Sequence, residues 1–231
     1  MDFSNRSDRL ELLDLPDIAP ADIEQNMAEL EFINRYLGGH AITIEGVRRL
    51  ANRQPNLHIC EIGCGGGDNG LAIEKSLRKK GVALFYTGID INPDCICVAK
   101  KRSQVSISKF LISDYKKVVF DEKPDILFCS LFCHHFKETE LVNMFRWMSD
   151  NAKIGFFIND LHRHPLAYHS IRYLTSWFSH SYLVKHDAPL SVLRGFRKKE
   201  LENLLNQAGI TRYTLRWKWA FRWLIIVKHH Q

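Results

Sequence analysis

From Glu61 to Gly70 the chain reads Glu-Ile-Gly-Cys-Gly-Gly-Gly-Asp-Asn-Gly. Glycine permits sharp turns and leaves bare backbone for a ligand to lie against, and a helix opening just behind such a turn adds the positive end of its dipole. A nucleotide-like ligand is the natural occupant. Two acidic residues follow at intervals, Asp90 in Gly-Ile-Asp-Ile-Asn and Asp114 in Ser-Asp-Tyr. An ionised carboxylate is a fitting acceptor for two adjacent hydroxyls, as on a ribose. Further on stand His134 and His135, then His162 and His164 on either side of Arg163. Histidine is the side chain best suited to take a proton near neutral pH.

The elements that must carry these residues follow from the hydrophobic period. Ile23, Met27, Leu30, Ile33 and Leu37 recur at helical spacing and stop at Gly38-Gly39. A second helix is expected over 45–52. Strands and helices then alternate: strands over 57–62, 83–90, 105–112, 125–130 and 154–159, and helices over 69–80, 93–102 and 138–150. Such alternation with short connections requires parallel strands covered by helices on both faces. Helices are expected over 163–178 and 198–208. The stretch 210–227 reads as two strands with no helix between them, which must pair antiparallel. The expected fold is α/β, a doubly wound, mostly parallel seven-stranded sheet ending in an antiparallel hairpin. The glycine loop, Asp90, Asp114 and His134-His135 then all fall at the C-terminal ends of strands, where such sheets bind ligands.

Two readings of the loop compete. Gly65, Gly67 and Gly70 give the G-x-G-x-x-G of a dinucleotide fold, with Asp90 at about the expected distance. Glu61, Gly63, Gly65 and Gly67 instead give an acidic-x-G-x-G-x-G string, which resembles the first motif of the class I S-adenosylmethionine-dependent methyltransferases. The second reading covers more of the chain, from about 57 to 160. By this resemblance Glu61, Gly63, Cys64, Gly65 and Gly67 form the cofactor loop, and Asp90 with Ile91 meets the ribose. Asp114 with Tyr115 faces the adenine, and Ser130 and Leu131 belong to the fourth motif, 125–136. The terminal hairpin fits the same family. Either aspartate could also serve simply as a helix cap.

The resemblance implies S-adenosylmethionine as cofactor and S-adenosylhomocysteine as product. It makes His135, with His134 and His162, the candidates for base or acceptor ligand, since a similar His-His-Phe stands at this place in small-molecule methyltransferases of the quinone and polyketide type. It also implies an N-terminal helical cap, 1–55, in front of the cofactor domain, 56–231. In that cap Tyr36 would cover the adenosine and Arg35 would meet the methionine carboxylate. The aromatic-rich stretch 161–196 is expected to form a lid over the acceptor. Enzymes that methylate exocyclic amines carry Asn/Asp-Pro-Pro-aromatic at the fourth motif, where this chain has Ser130-Leu131-Phe132-Cys133. The expected acceptor is therefore a small aromatic or lipid-like metabolite, methylated on oxygen.

Composition sets the outer bounds. Of 231 residues 45% are hydrophobic and 25% charged, as in an ordinary globular chain. No apolar run approaches the roughly 20 residues of a membrane span, and the first ten residues have no apolar core like that of a secretory signal. A cytoplasmic protein is expected. The formal charge of +6 permits nucleic acid, so methylation of tRNA or rRNA stays as an alternative, as does a regulatory protein that binds the cofactor without turnover. No RNA-binding signature is visible, and nucleic acid is not the expected partner. The six cysteines include no C-x-x-C. A four-sulfur site from Cys60, Cys64, Cys129 and Cys133 is conceivable, but buried thiols and no metal are expected. Oligomeric state is left open.

Overall fold

The computed structural model describes residues 2–51, 54–103 and 108–229. Its elements, in chain order, are α1 (Pro20–Tyr36), α2 (Gly39–Leu50), β1 (Asn56–Ile62), α3 (Asp68–Arg78), β2 (Ala83–Asp90), α4 (Pro93–Arg102), β3 (Ser108–Ile112), β4 (Ile126–Ser130), α5 (Glu138–Asn151), β5 (Gly155–Leu161), α6 (Pro165–Phe178), α7 (Tyr182–Arg194), α8 (Lys198–Gln207), β6 (Thr214–Lys218) and β7 (Arg222–Lys228). The seven strands form one sheet in the order β3-β2-β1-β4-β5-β7-β6. The first five run parallel, and β7 is antiparallel to both β5 and β6. This is the doubly wound sheet with a terminal hairpin that the alternation requires.

Period-two side chains sort the core into two layers. Leu127, Cys129, Phe156 and Ile158 face one side, against Leu141 and Phe145 of α5 and Leu201 and Leu205 of α8. Ile126, Phe128 and Phe157 face the other, against Ile42, Val47 and Leu50 of α2 and Ile73 of α3. Every residue of β4 is buried, as expected of a central parallel strand covered on both faces. A separate cluster joins α1 to α4 through Ile23, Met27, Cys95 and Val98, and another joins α6 to α7.

Three differences from the sequence reading have local causes. The second helix begins at Gly39, because Gly38 takes φ +80 and turns the chain from α1 straight into α2. Its expected last residue, Asn52, and residues 105–107 of the expected third strand lie outside the described residues. The stretch 182–191 forms α7, with Pro189 inside the helix. Ser181 caps it, its hydroxyl accepting from the Val184 amide, and buried Leu183, Val184 and Leu190 hold it down, so packing overrides the proline. Arg163 stays outside α6, which opens on Pro165. Its buried guanidinium instead donates to the carbonyls of Phe3, Ser4 and Gly195 and pairs with Glu200.

Candidate active site

The C-terminal ends of β1, β2 and β4 open into one cavity of about 1100 Å³. Gly63, at φ +68, turns the chain out of β1, and the amides of Gly63 and Cys64 both donate to the Ile89 carbonyl. A Cβ on Gly63 would stand 2.1 Å from the Phe132 ring, so the glycine loop is pressed directly against the loop after β4. Asp90 ends β2 and holds the same loop from the other side. One of its carboxylate oxygens accepts the Gly65 amide at 2.8 Å and the other the Asn92 amide at 2.9 Å. Burial lifts its pKa above the ordinary carboxylate value, while those amides oppose the rise. Both oxygens retain acceptor capacity toward the cavity.

Around this end the cavity is lined by Gly63, Cys64, Gly65, Ile91, Asp114, Tyr115, Ser130 and Leu131, each singled out in the sequence. Ile91 lies at the rim, 73% exposed. Asp114 caps a short 3-10 turn, accepting from the Lys116 amide. Leu131 takes φ +53, a conformation rare for a side-chain-bearing residue, and its amide donates to the Asn159 carbonyl. Glu61 and Gly67 lie behind the wall. Glu61 is fully buried and accepts from Asn69 and from the Tyr86 hydroxyl. Burial pushes its pKa well up, and it braces the loop from below.

The histidines part company. His134 is buried, with Nδ1 2.8 Å from Asp160 and Nε2 3.4 Å from Glu11. Burial works against a charged ring, but the two carboxylates outweigh it and bring the pKa to about 9. Glu11 is correspondingly lowered to about 2. His134 is therefore already protonated at neutral pH and is not free to act as a base. His135 is half-buried on the cavity wall. Its Nδ1 lies 3.1 Å from Asp14, and its Nε2 is 3.8 Å from Glu11, beyond hydrogen-bond reach. A ring that donates from Nδ1 to a carboxylate keeps Nε2 as the acceptor of a proton. His162 lies off the cavity wall, its Nδ1 accepting from Trp217 Nε1. Burial and the neighbouring His164 and Arg163 lower its pKa to about 4.

Tyr36 and Arg35 are exposed and point away, because the helical phase of α1 aims Met27, Leu30, Ile33 and Asn34 at the cavity. The four cysteines considered as a sulfur site do not converge. Among the described residues the one group of metal-type donors that does is Glu11, His134 and His135, within 4.8 Å of one another.

Several wall residues carry no mark in the sequence. Glu11 and Asp14 belong to a segment ahead of α1 that is bolted across the site. The Asp187 carboxylate accepts the amides of Leu12 and Leu13, and Arg6 donates to the carbonyls of His134, Phe136 and Arg194. Asp160 accepts the amides of Phe132 and His134 as well as the His134 ring. Arg222 and Asn34 line the same cavity beside Asp68.

The family model described as a methyltransferase domain matches residues 59–155, from β1 to the start of β5. That stretch is thus similar to a methyltransferase domain. Among solved structures, the chain resembles the plantazolicin methyltransferase BpumL in complex with SAH, with TM-score 0.64 and 17% identity over 90% of this chain and 96% of that one. Human N-acetylserotonin methyltransferase in complex with SAM gives TM-score 0.64 and 18% identity over 92% of this chain, which spans just over half (57%) of that one. At these identities the likeness is one of fold. No curated protein matches the chain. Among its described residues no helix is long and apolar enough to cross a membrane.

Proposed function

We propose that this protein transfers a methyl group from S-adenosylmethionine to an oxygen of a small, aromatic or lipid-like acceptor. The observation that carries the reading is a single cavity with two unlike ends that meet at His135. One end is the glycine loop with Asp90 and Asp114, suited to an adenosyl group. The other is apolar, lined by Leu10, Ile171, Leu174 and Val192. A volume of about 1100 Å³ exceeds the roughly 300–1,000 Å³ of a pocket for one drug-sized ligand, leaving room for donor and acceptor together.

When bound, S-adenosylmethionine supplies an electrophilic methyl group on a sulfonium. Asp90 accepts hydrogen bonds from the ribose hydroxyls while keeping the glycine loop in place. Gly63, Gly65 and Leu131 present backbone to the rest of the donor. His135 Nε2 takes the acceptor's hydroxyl proton as the oxygen bonds to the methyl carbon and the carbon–sulfur bond breaks. Asp14, at Nδ1, keeps the ring turned for that transfer. The apolar residues exclude water and hold the acceptor in line, and such orientation contributes roughly 7–11 kcal/mol to reactions of this kind. The N-terminal segment closes the acceptor end, which favours a small ligand over an RNA helix.

The test is incubation of the protein with methyl-labelled S-adenosylmethionine and metabolite extracts, read by mass spectrometry. A small molecule carrying the label on oxygen is the expected result. Label that appears only in RNA, or only on nitrogen, overturns the acceptor assignment.

A further inference from the structure

Arg222 is the first residue of β7, yet its side chain reaches the cavity and is almost wholly buried, with 3% exposure. Its Nη2 donates to Asn34 Oδ1 at 3.1 Å, whereas its Nη1 has no partner at all. Among the described residues no carboxylate lies within ion-pairing distance of it. Asp160, and after it Asp68, favour its charge from beyond contact, and Asn34 stands between Arg222 and Asp68, donating to Asp68 Oδ2 at 3.1 Å. Asp68 is in turn engaged by His40 at 2.7 Å. Burial pulls the guanidinium down to about 10, which leaves it charged at neutral pH. A buried, unpaired cation is costly, and residues lining a cavity hold one only where something else completes it.

The position of the site identifies the missing partner. Asp68 directly follows the glycine loop, so Arg222 lies one side chain from it, on the β4–β5 side. Asp90 grips the same loop from the β2 side. A donor laid along the loop with its ribose at Asp90 therefore points its amino-acid head toward Ser130, Asn34 and Arg222.

We propose that Arg222 receives the α-carboxylate of the donor, so that the terminal hairpin reads whether the adenosyl ligand carries an amino acid. The inference rests on the S-adenosylmethionine reading and adds to it a discriminating residue. Arginine suits the task because its planar fork can give two parallel N–H bonds to one carboxylate. Nη1 is free for that purpose, and Asn34 fixes the orientation of the fork through Nη2.

The experiment compares S-adenosylhomocysteine with 5′-(3-aminopropyl)thioadenosine, which keeps the ammonium and lacks only the carboxylate. Calorimetry is run on the wild type and on R222M, with R222Q making the same measurement should R222M not fold. The wild type is expected to prefer S-adenosylhomocysteine roughly 10- to 150-fold, the scale of a lost charged hydrogen bond, and R222M is expected to erase that preference by weakening S-adenosylhomocysteine alone. Unliganded R222M is expected to melt no lower than the wild type, since an apolar side chain replaces a buried unpaired charge. Equal weakening of both ligands, or of neither, overturns the role of Arg222 while leaving the donor reading intact. A wild type that binds neither compound overturns both.

Discussion

The two ends of the cavity are built in opposite ways. The donor end is made of residues close in sequence to the strand ends that carry them: Gly63 and Gly65 after β1, Asp90 at the end of β2, and Ser130 at the end of β4. Its hydrogen bonds are largely backbone to backbone or carboxylate to backbone, as between Asp90 and Gly65. The acceptor end is assembled from distant pieces. Asp14 meets His135 across 121 residues, Glu11 meets Ser191 across 180, and Asp187 holds Leu12 across 175. The first end is fixed once the sheet forms. The second exists only while the segment ahead of α1 is in place.

The comparison breaks first at His135. His135→Ala is expected to cut kcat by roughly 10²- to 10⁴-fold, the range of a lost general base, while affinity for S-adenosylhomocysteine stays unchanged by calorimetry. Equal loss of both would mean that the two ends are not separable. The next effect concerns the clamp at His134. Its folded pKa of about 9 lies above the ordinary 6.5, so its contribution is complete below pH 6.5 and disappears as the pH rises through 9. The acid side is set by Glu11, lowered from 4.5 to about 2, whose share is complete above pH 4.5 and is lost as the pH falls through 2. On the order of 3 kcal/mol is at stake on the alkaline side. Melting of the wild type should therefore fall between pH 6.5 and 9 more steeply than that of His134→Gln, and parallel curves would remove the clamp.

Asp90→Ala sharpens the donor end. Affinity for S-adenosylhomocysteine should drop roughly 10- to 150-fold, with the pH dependence of melting through the His134 range left as in the wild type. Unchanged affinity would refute the ribose assignment. The smallest expected effect is none: treatment with a chelator should leave turnover as it was. Activity that vanishes with EDTA and returns with a divalent ion would turn Glu11, His134 and His135 into a metal centre in place of an ion pair beside a neighbouring ring.

Legibility in the sequence follows the same division. The glycine loop, Asp90, Asp114 and Ser130 could be read because each occupies a fixed place relative to a strand end, and period-two and period-3.6 patterns locate strand ends. Tyr36 was assigned from its residue type, but α1 presents its Asn34 face to the site and leaves Tyr36 61% exposed. His134 and His135 are adjacent and alike in sequence, and only their surroundings separate a buried imidazolium from a half-buried ring with a carboxylate at Nδ1. His162 looked equivalent to both, yet its partner is Trp217 of the hairpin.

What the sequence alone determined is the sheet, its two helical layers and the glycine loop at the cavity wall, because these follow from local hydrophobic period and from the backbone freedom of glycine. The tertiary structure decided which titratable groups are charged and which residues meet at the acceptor. Glu11, Asp14 and Arg222 look like ordinary surface charges in the chain. They become parts of the site only because folding buries them beside His134, His135 and Asn34, and the energy of a charge depends on what surrounds it in space.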